Sequence, residues 1–166
     1  MIEIRKEIEK DFEEVFHLVS LAFENEAEAK LVEKLRNVEP HISLVAEKDG
    51  KIVGHIFFSP MTFEDEKTNF LGLAPMAVLP EFQNQGIGSK LIKEALRVCA
   101  EENFTAVFVL GHANYYPRFG FEIAKTRGFT CEFPVPDEHF MVLELKKDAL
   151  KGKRGLVKYR REFAEF

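Results

Sequence analysis

Apolar residues at helical spacing follow a short apolar segment at the start of the chain. Residues 2–7 predict a strand. In the next segment apolar side chains recur every three or four positions, as on one face of an amphipathic helix: Phe12, Val15, Phe16, Val19, Ala22 and Phe23. Asp11 and Glu14, three positions apart, predict an N-cap pair at the start of this helix.

A second helix is predicted directly after the first. Asn25, with Glu28 three positions later, is a second start signal. It precedes a further apolar face made of Leu31, Val32 and Leu35. We therefore expect the first helix to break near Glu24 and the second to end at about Arg36.

The spacing of apolar residues then changes to that of strands. Residues 42–47 and 51–58 are separated by the turn pair Asp49-Gly50, which predicts a β-hairpin. Residues 69–79 predict a third strand of the same meander. Pro75 lies inside that strand. Because proline has no N–H to donate to a sheet, it predicts a bulge, a splay or an edge at this point.

The clearest amphipathic pattern in the chain begins at position 87. Its apolar face consists of Ile87, Leu91, Ile92, Ala95, Leu96 and Cys99. A buried strand is predicted at 104–110, so that strand, turn, helix and strand form a right-handed crossover. Shorter segments at 119–125 and 141–145 complete the pattern. Together these elements predict an α/β protein.

Composition and charge narrow the class of protein. A chain of 166 residues fits one core, and we expect residues 1–166 to form a single domain. Hydrophobic residues make up 46% and charged residues 31%, which favours a packed globular fold over disorder. The formal net charge of −5 argues against nucleic acid as a partner and mildly favours an amine substrate.

No segment of the sequence has the pattern of a signal peptide or of a membrane span. No apolar run approaches the roughly 18–20 residues that a bilayer requires. We therefore expect a soluble, cytoplasmic protein with no membrane partner. Cys99 and Cys131 lack metal-ligand spacing and are predicted to be free thiols.

The turn Gln83-Asn84-Gln85-Gly86-Ile87-Gly88 is the strongest candidate for a binding function. Its two glycines have no Cβ, so a ligand can approach the backbone amides at the start of the following helix. Unpaired N–H groups and the positive end of the helix dipole together suit a phosphate. The residue pattern of the turn matches neither a P-loop nor a dinucleotide-binding fingerprint. From these residues alone, a phosphate site and a purely structural turn both remain open.

Two longer segments resemble the motifs of one enzyme family. Met76-Ala-Val-Leu-Pro-Glu-Phe-Gln-Asn-Gln-Gly-Ile-Gly-Ser-Lys-Leu-Ile closely resembles motif A of the GNAT N-acetyltransferases, whose pattern is Arg/Gln-x-x-Gly-x-Gly/Ala. Asn114-Tyr-Tyr-Pro-Arg-Phe-Gly-Phe resembles their motif B, Tyr-x-x-x-Gly-Phe, with Tyr116 at the tyrosine position. The order of predicted elements is similar over nearly the whole chain. An uncharacterised bacterial and archaeal subgroup of predicted acetyltransferases is particularly similar in two segments, Gly54-His-Ile-Phe-Phe-Ser-Pro and Val109-Leu-Gly-His with the following Tyr-Tyr-Pro-Arg-Phe-Gly-Phe.

The resemblance implies acetyl-CoA as co-substrate and no metal. The pyrophosphate of CoA would be lined by Gln83, Gln85, Gly86, Gly88 and Ser89. Ala77 and Val78 would offer backbone groups to the pantetheine arm. The implied fold is a GNAT-like acyl-CoA N-acyltransferase fold, a central mixed, largely antiparallel sheet flanked by helices. In this fold a V-shaped opening is expected between the strand that contains Pro75 and the strand that begins at about Phe104.

The implied reaction is direct transfer of an acetyl group from acetyl-CoA to a primary amine in a ternary complex. Such an amine must be neutral to attack, and the departing thiolate benefits from a proton donor. The resemblance gives this role to Tyr116, with Tyr115 as the neighbour that could be confused with it. Simple packing of an aromatic side chain is the alternative explanation for Tyr116.

The general base stays open at this point. Family members often carry a glutamate on the strand before motif A, whereas this chain has Leu71-Gly-Leu-Ala there. His112, Glu26, Glu28 or water could accept the proton. The missing glutamate is also the best support for the alternative function, a non-catalytic acyl-CoA-binding regulatory module.

The acceptor is the least determined part of the prediction. A small-molecule amine and a peptide amine are both consistent with the sequence. Two acidic loops, residues 24–28 and 133–139, are the segments expected to select it. A homodimer is plausible, although no surface patch in the sequence supports it.

Overall fold

The computed structural model describes residues 1–165, which form three α-helices and one nine-stranded sheet. The helices are α1 (Phe12–Phe23), α2 (Ala27–Leu35) and α3 (Ile87–Glu101). The strands are β1 (Ile2–Lys6), β2 (Ile42–Lys48), β3 (Lys51–Phe63), β4 (Glu66–Val78), β5 (Ala106–Leu110), β6 (Glu122–Ile123), β7 (Phe129–Cys131), β8 (Phe140–Glu144) and β9 (Gly155–Lys158).

Most neighbouring strands run antiparallel. In the order β1-β2-β3-β4-β5-β8-β6, the pair β4 and β5 is parallel and every other pair is antiparallel. β9 pairs antiparallel with β3 and parallel with β7. The crossover between β4 and β5 runs through α3. The predicted α/β fold, with a mixed, largely antiparallel sheet flanked by helices, is confirmed.

Alternate residues of the central strands belong to two different apolar cores. Leu71 of β4 packs in the core that contains α1 and α3, whereas its neighbour Phe70 packs in the other core. That second core is aromatic. The ring centroid of Phe108 lies 5.4 Å from that of Phe70, 5.4 Å from that of Phe129 and 5.5 Å from that of Phe140. Burial of such rings explains why a chain rich in phenylalanine folds without tryptophan.

The N-cap pair predicted at the start of α1 is wrong. Asp11 already has helical backbone angles and ends a short turn that precedes the helix. Its carboxylate accepts a hydrogen bond from the Ile8 N–H at 2.8 Å and pairs with Arg5 at 2.8 Å. The Glu14 carboxylate accepts a hydrogen bond from the Ile52 N–H at 2.8 Å. Both acids therefore join the helix to strands instead of capping it.

The predicted break between the first two helices is confirmed. Glu24 follows α1 in the left-handed conformation, with φ of 60°. The Asn25 side-chain oxygen then accepts a hydrogen bond from the Ala27 N–H at 2.8 Å, which starts α2. The helix ends at Leu35, next to the predicted end at Arg36.

The strand β4 changes neighbours at Pro75. Two residues of β4, Ala74 and Pro75, stand opposite the single residue Phe57 of β3, which is a β-bulge. The parallel pairing with β5 ends just before this bulge, where Leu73 lies opposite Val109. Among residues 1–165, the rest of β4 has no strand on that side. The predicted bulge and the predicted opening between the two strands are confirmed.

Two smaller observations concern the whole chain. None of the helices within residues 1–165 combines the length and apolarity that crossing a bilayer requires. Cys99 and Cys131 are free thiols, as predicted. Burial raises the pKa of the Cys99 thiol to about 12, which leaves it protonated and unreactive at neutral pH.

A buried polar chain joins β3, β2 and the helix region. The Ser43 hydroxyl donates to a Glu7 carboxylate oxygen at 2.8 Å, and Arg36 pairs with the other oxygen of Glu7 at 2.6 Å. Because that hydroxyl has only one proton, His55 must donate its Nε2–H to Ser43, 2.8 Å away. The Nδ1 atom of His55 is buried without a partner among residues 1–165. Burial lowers the pKa of His55 from 6.5 to about 4.

We predict that His55 makes the protein lose stability in mild acid. The unfolded chain binds a proton at this side chain below its ordinary pKa of 6.5, and the folded chain does so only near pH 4. The contribution of His55 to the unfolding free energy is therefore fully present above pH 6.5. It falls as the pH drops, by about 2 kcal/mol between pH 7.5 and pH 5. Urea unfolding at both pH values measures this difference.

Two variants separate this effect from other titrating groups. His55→Gln should remove about 2 kcal/mol of the difference in unfolding free energy between the two pH values. His17→Gln, on an exposed position of α1, is the control and should leave the difference unchanged. An unchanged pH difference in His55→Gln would contradict the prediction.

Candidate active site

The opening between β4 and β5 exposes backbone groups of β4. Leu79 donates its N–H to the Val53 carbonyl oxygen of β3 at 2.9 Å. Hydrogen-bonding direction alternates along a strand, so Ala77, opposite His55, also points its backbone groups toward β3. The backbone groups of Val78 then point into the opening.

This alternation corrects one part of the sequence prediction. Ala77 and Val78 were both expected to offer backbone groups to a pantetheine arm. Ala77 is bound to β3 instead, because it occupies a hydrogen-bonded position of the β3–β4 ladder. Val78 does face the opening, and by the same alternation so does Met76, which the sequence analysis did not single out.

The glycine turn places a free helix N-terminus beside this opening. Gly86 has a φ of 84°, which suits a residue without Cβ, and it is the N-cap residue of α3. The first hydrogen bond of the helix runs from the Lys90 N–H to the Gly86 carbonyl oxygen at 3.1 Å. The amides before Lys90 therefore have no partner within the helix. Neither a capping side chain nor an acidic side chain occupies this first turn in the described chain.

Two glutamine side chains brace the glycine turn. The Gln83 side-chain amide donates to the Val78 carbonyl oxygen at 3.0 Å, and that of Gln85 donates to the Glu81 carbonyl oxygen at 3.1 Å. Both glutamines are exposed. The side chains thus hold the shape of the turn, while their predicted contact with a pyrophosphate stays a prediction.

Tyr115 lies against the start of α3. Its hydroxyl is 3.5 Å from the Ser89 hydroxyl. A Cβ added to Gly88 would lie 3.2 Å from the same tyrosine hydroxyl, so the glycine leaves room for this approach. Arg118 stands over the Tyr115 ring, with its guanidinium carbon 5.4 Å from the ring centroid. Tyr115 therefore belongs to the end of the opening where the helix amides are free.

Tyr116 lines a cavity of about 660 Å³, which Tyr115 also lines. It begins a short turn, Tyr116–Phe119, and its ring packs edge-on against Tyr115, with centroids 5.2 Å apart. Gly111 allows this position, because a Cβ there would collide with the Tyr116 ring. Burial raises the pKa of Tyr116 to about 12, so its phenol is protonated at neutral pH. Tyr116 is thus the buried member of the pair, whereas Tyr115 is the one beside the start of α3.

The candidate bases differ in whether they line this cavity. Glu28 and His112 both line it. Glu26 does not: its side chain is 60% exposed and pairs with Lys30 at 3.5 Å. Two of the three side chains considered from the sequence are therefore in place to exchange a proton with a ligand in the cavity.

The sequence analysis missed the far wall of the cavity. Tyr159 and Phe163, near the end of the chain, pack as a tilted pair with centroids 4.8 Å apart and line the cavity together with Phe133. A Cβ on Gly72 would lie 2.5 Å from the Tyr159 ring, so this glycine makes room for it. A glycine inside a predicted strand is a signal of close approach, and Gly72 was the one available sign of this contact.

No group of three or more metal-ligating side chains in residues 1–165 is arranged to hold a metal ion. The features assembled at the site are a strand edge with free backbone groups, a helix N-terminus and a cavity with a protonated phenol. They are joined by the gap between β4 and β5. This arrangement suits a long ligand with an anionic end and a reactive end.

Comparison with known proteins agrees with this geometry. The model of the acetyltransferase (GNAT) family matches residues 6–121. The chain belongs to the GNAT acetyltransferase family. This confirms the family resemblance and the enzyme class that the sequence motifs predicted.

Similar GNAT proteins are known from bacteria. The uncharacterised N-acetyltransferase YhbS of Escherichia coli is 38% identical over 165 residues, which cover 98% of this chain and 99% of that protein. A crystal structure of E. coli YhbS in complex with CoA has a TM-score of 0.94 at 37% identity and covers 99% of this chain and 93% of that one. A GNAT acetyltransferase from Brucella melitensis in complex with acetyl-CoA has a TM-score of 0.82 at 33% identity, covering 98% of both chains.

We predict that Gly111→Ala displaces the tyrosine of this GNAT site. The added methyl group collides with the Tyr116 ring, and such overpacking costs about 1–3 kcal/mol of unfolding free energy. In the Tyr116→Ala background the collision is absent, so the same substitution should cost much less. Urea unfolding of the four proteins measures the coupling. Equal costs in the two backgrounds would contradict the described packing.

Proposed function

We propose that this protein transfers an acetyl group from acetyl-CoA to a primary amine while both are bound. The observation that carries the proposal is the gap between β4 and β5, which joins the free amides of α3 to the cavity that holds Tyr116. Relatives that cover nearly the whole chain hold CoA or acetyl-CoA, which supports the same co-substrate here. We also propose that residues 1–166 act as a single domain in the cytoplasm.

The residues at the gap fit the parts of acetyl-CoA in order. The amides of Gly86, Gly88 and Ser89, at the positive end of the α3 dipole, would hold the pyrophosphate. The backbone groups of Met76 and Val78 would bind the pantetheine arm in place of a sheet partner. The acetyl group would then reach the cavity. The Val78 N–H is suited to bind the acyl oxygen as negative charge develops on it.

The chemistry requires three proton transfers. The ammonium ion first gives a proton to Glu28, His112 or water. The amine lone pair then forms the C–N bond as the C–S bond breaks, and the electron pair goes to sulfur. Tyr116 gives its proton to the sulfur and regains one from the amide nitrogen. The products are an N-acetylated amine, the free thiol of CoA and one proton released to solvent.

We predict that Gly86→Ala weakens acetyl-CoA binding. An added Cβ there has no protein atom within 4 Å, so it acts through backbone strain of about 1–2 kcal/mol and by intruding on the bound pyrophosphate. Calorimetric titration should show at least a tenfold higher dissociation constant for acetyl-CoA, and ATP and NAD should bind the unmodified protein more weakly than acetyl-CoA.

The matched control is Gly50→Ala in the β2–β3 turn. Gly50 has a φ of 79°, close to the 84° of Gly86, and an added Cβ there also meets no protein atom within 4 Å. The two substitutions should lower stability similarly, but Gly50→Ala should leave acetyl-CoA binding unchanged within twofold. If the two variants bind acetyl-CoA with equal affinity, the pyrophosphate does not bind at the turn that contains Gly86. Failure of the unmodified protein to bind acetyl-CoA would reject the proposed co-substrate.

We predict that Tyr116→Phe lowers the rate of acetyl transfer while acetyl-CoA still binds. Loss of a general acid costs roughly 10²–10⁴-fold in turnover. Steady-state assays with an amine panel and mass detection of the acetylated product measure the effect. The comparison variant is Tyr115→Phe, which removes the hydroxyl that lies 3.5 Å from the Ser89 hydroxyl and should lower turnover less than Tyr116→Phe. An unchanged rate in Tyr116→Phe would exclude it as the proton donor, and absence of transfer to every amine would favour a non-catalytic acyl-CoA-binding module.

A further inference from the structure

The cavity extends beyond Tyr116 into a chamber with apolar walls. Its inner side is formed by β4 and by the residues that follow β5. Its outer side is built from three distant parts of the chain: the end of α1, the loop after β7 and the C-terminal segment. The aromatic side chains of this outer wall are Phe23, Phe133, Tyr159 and Phe163. Such walls favour a ligand that buries nonpolar surface.

One acidic side chain interrupts these walls. Glu28 lies in the first turn of α2 and lines the cavity. Its Oε1 atom is enclosed and has no hydrogen-bond partner among residues 1–165. No basic side chain of the described chain forms a salt bridge with it, unlike Glu26, which pairs with Lys30. An enclosed carboxylate oxygen without a partner is costly, and a cation bound in the cavity would supply that partner.

A second enclosed polar atom belongs to the aromatic outer wall. Tyr159 is 6% exposed, and its hydroxyl has no hydrogen-bond partner among residues 1–165. Burial raises its pKa, so the hydroxyl stays neutral. The chamber thus presents one carboxylate, from α2, in a lining whose other side chains, apart from His112, are apolar or aromatic. This combination does not suit a ligand that carries many charges or hydroxyl groups, because those groups would lose water without gaining partners.

We infer that the acceptor is a primary amine attached to an apolar or aromatic group, with its ammonium bound by Glu28 and its apolar group by the aromatic outer wall. This inference rests on the proposed acetyl transfer and adds the chemical class of the acceptor. Glu28 binds the amine at the edge of the cavity, and Phe133 and Phe163 enclose the rest of the molecule. Polyamines and aminoglycosides are disfavoured acceptors.

The first test is binding, which does not depend on turnover. Calorimetry with the CoA-saturated protein compares 2-phenylethylamine with 2-phenylethanol, which lacks the charge, and with ethanolamine, which lacks the ring. We expect each of these two compounds to bind at least tenfold more weakly than 2-phenylethylamine, because each loses one of the two contacts. Equal binding of ethanolamine or of 2-phenylethanol would overturn the inference.

The second test uses matched variants. Glu28→Gln should weaken binding of 2-phenylethylamine at least tenfold, leave acetyl-CoA binding within twofold, and reduce the preference over 2-phenylethanol. Glu26→Gln, on the exposed residue two positions earlier, is the control and should change none of these. Phe163→Ala should weaken the binding of 2-phenylethylamine about tenfold and leave the binding of ethanolamine unchanged. Phe12→Ala, outside the cavity, is the control. Unchanged binding in Glu28→Gln would overturn the inference.

Turnover assays distinguish this inference from the proposed function. With acetyl-CoA, kcat/KM should be at least tenfold higher for 2-phenylethylamine than for ethanolamine or spermidine. Efficient acetylation of spermidine in preference to the aromatic amine would overturn the acceptor class and leave the transferase function intact. Selective binding of 2-phenylethylamine without any transfer would reject the function and leave the cavity assignment intact. In the absence of amine, tighter binding of octanoyl-CoA than of acetyl-CoA would show that the chamber holds an acyl chain. That result would overturn the inference.

Discussion

The candidate site depends on the point at which the parallel pairing of β4 with β5 stops. From Phe70 to Leu73, β4 has a strand partner on both sides; beyond Leu73, only β3 remains as a partner. Pro75 has no N–H, and the bulge that it shares with Ala74 turns the strand away from β5. The Val78 carbonyl accepts from the Gln83 side chain, and the Val78 N–H is left to solvent or to a ligand. A strand in the middle of the sheet thus has an unpaired edge at which a ligand can bind.

Nearby residues were sufficient to predict the helices and strands. They were insufficient to predict which side chains from different elements contact each other. The helix face that begins at Ile87 and the irregularity of the strand at Pro75 each follow from nearby residues, and both were predicted from the sequence. The N-cap assigned to Asp11 was wrong because its true partners come from elsewhere, the side chain of Arg5 in β1 among them. A capping rule reads only the next three residues, whereas a carboxylate responds to every donor that the fold brings near it.

The aromatic wall of the cavity shows the same limit at longer range. Tyr159 lies 87 positions after Gly72 in the chain, yet its ring occupies the space that a side chain at Gly72 would need. Each residue alone has an ordinary local explanation, a flexible strand position in one case and a C-terminal aromatic residue in the other. Only the pairing of β9 with β3 brings them together. Sequence spacing carries no information on such a contact, because it is made by the sheet as a whole.

This contact also explains where a proton acceptor can and cannot be placed. Leu71 is fully buried under α1 and α3, so a carboxylate at that position would lack both water and a partner. At Gly72, the ring of Tyr159 fills the space. The next two residues of β4 are apolar and form part of the cavity wall. None of residues 71–74 of β4 thus offers a polar side chain to the cavity, whereas Glu28 and His112 reach it from other parts of the chain. With these two side chains at the cavity, the missing strand glutamate does not by itself argue for a loss of chemistry.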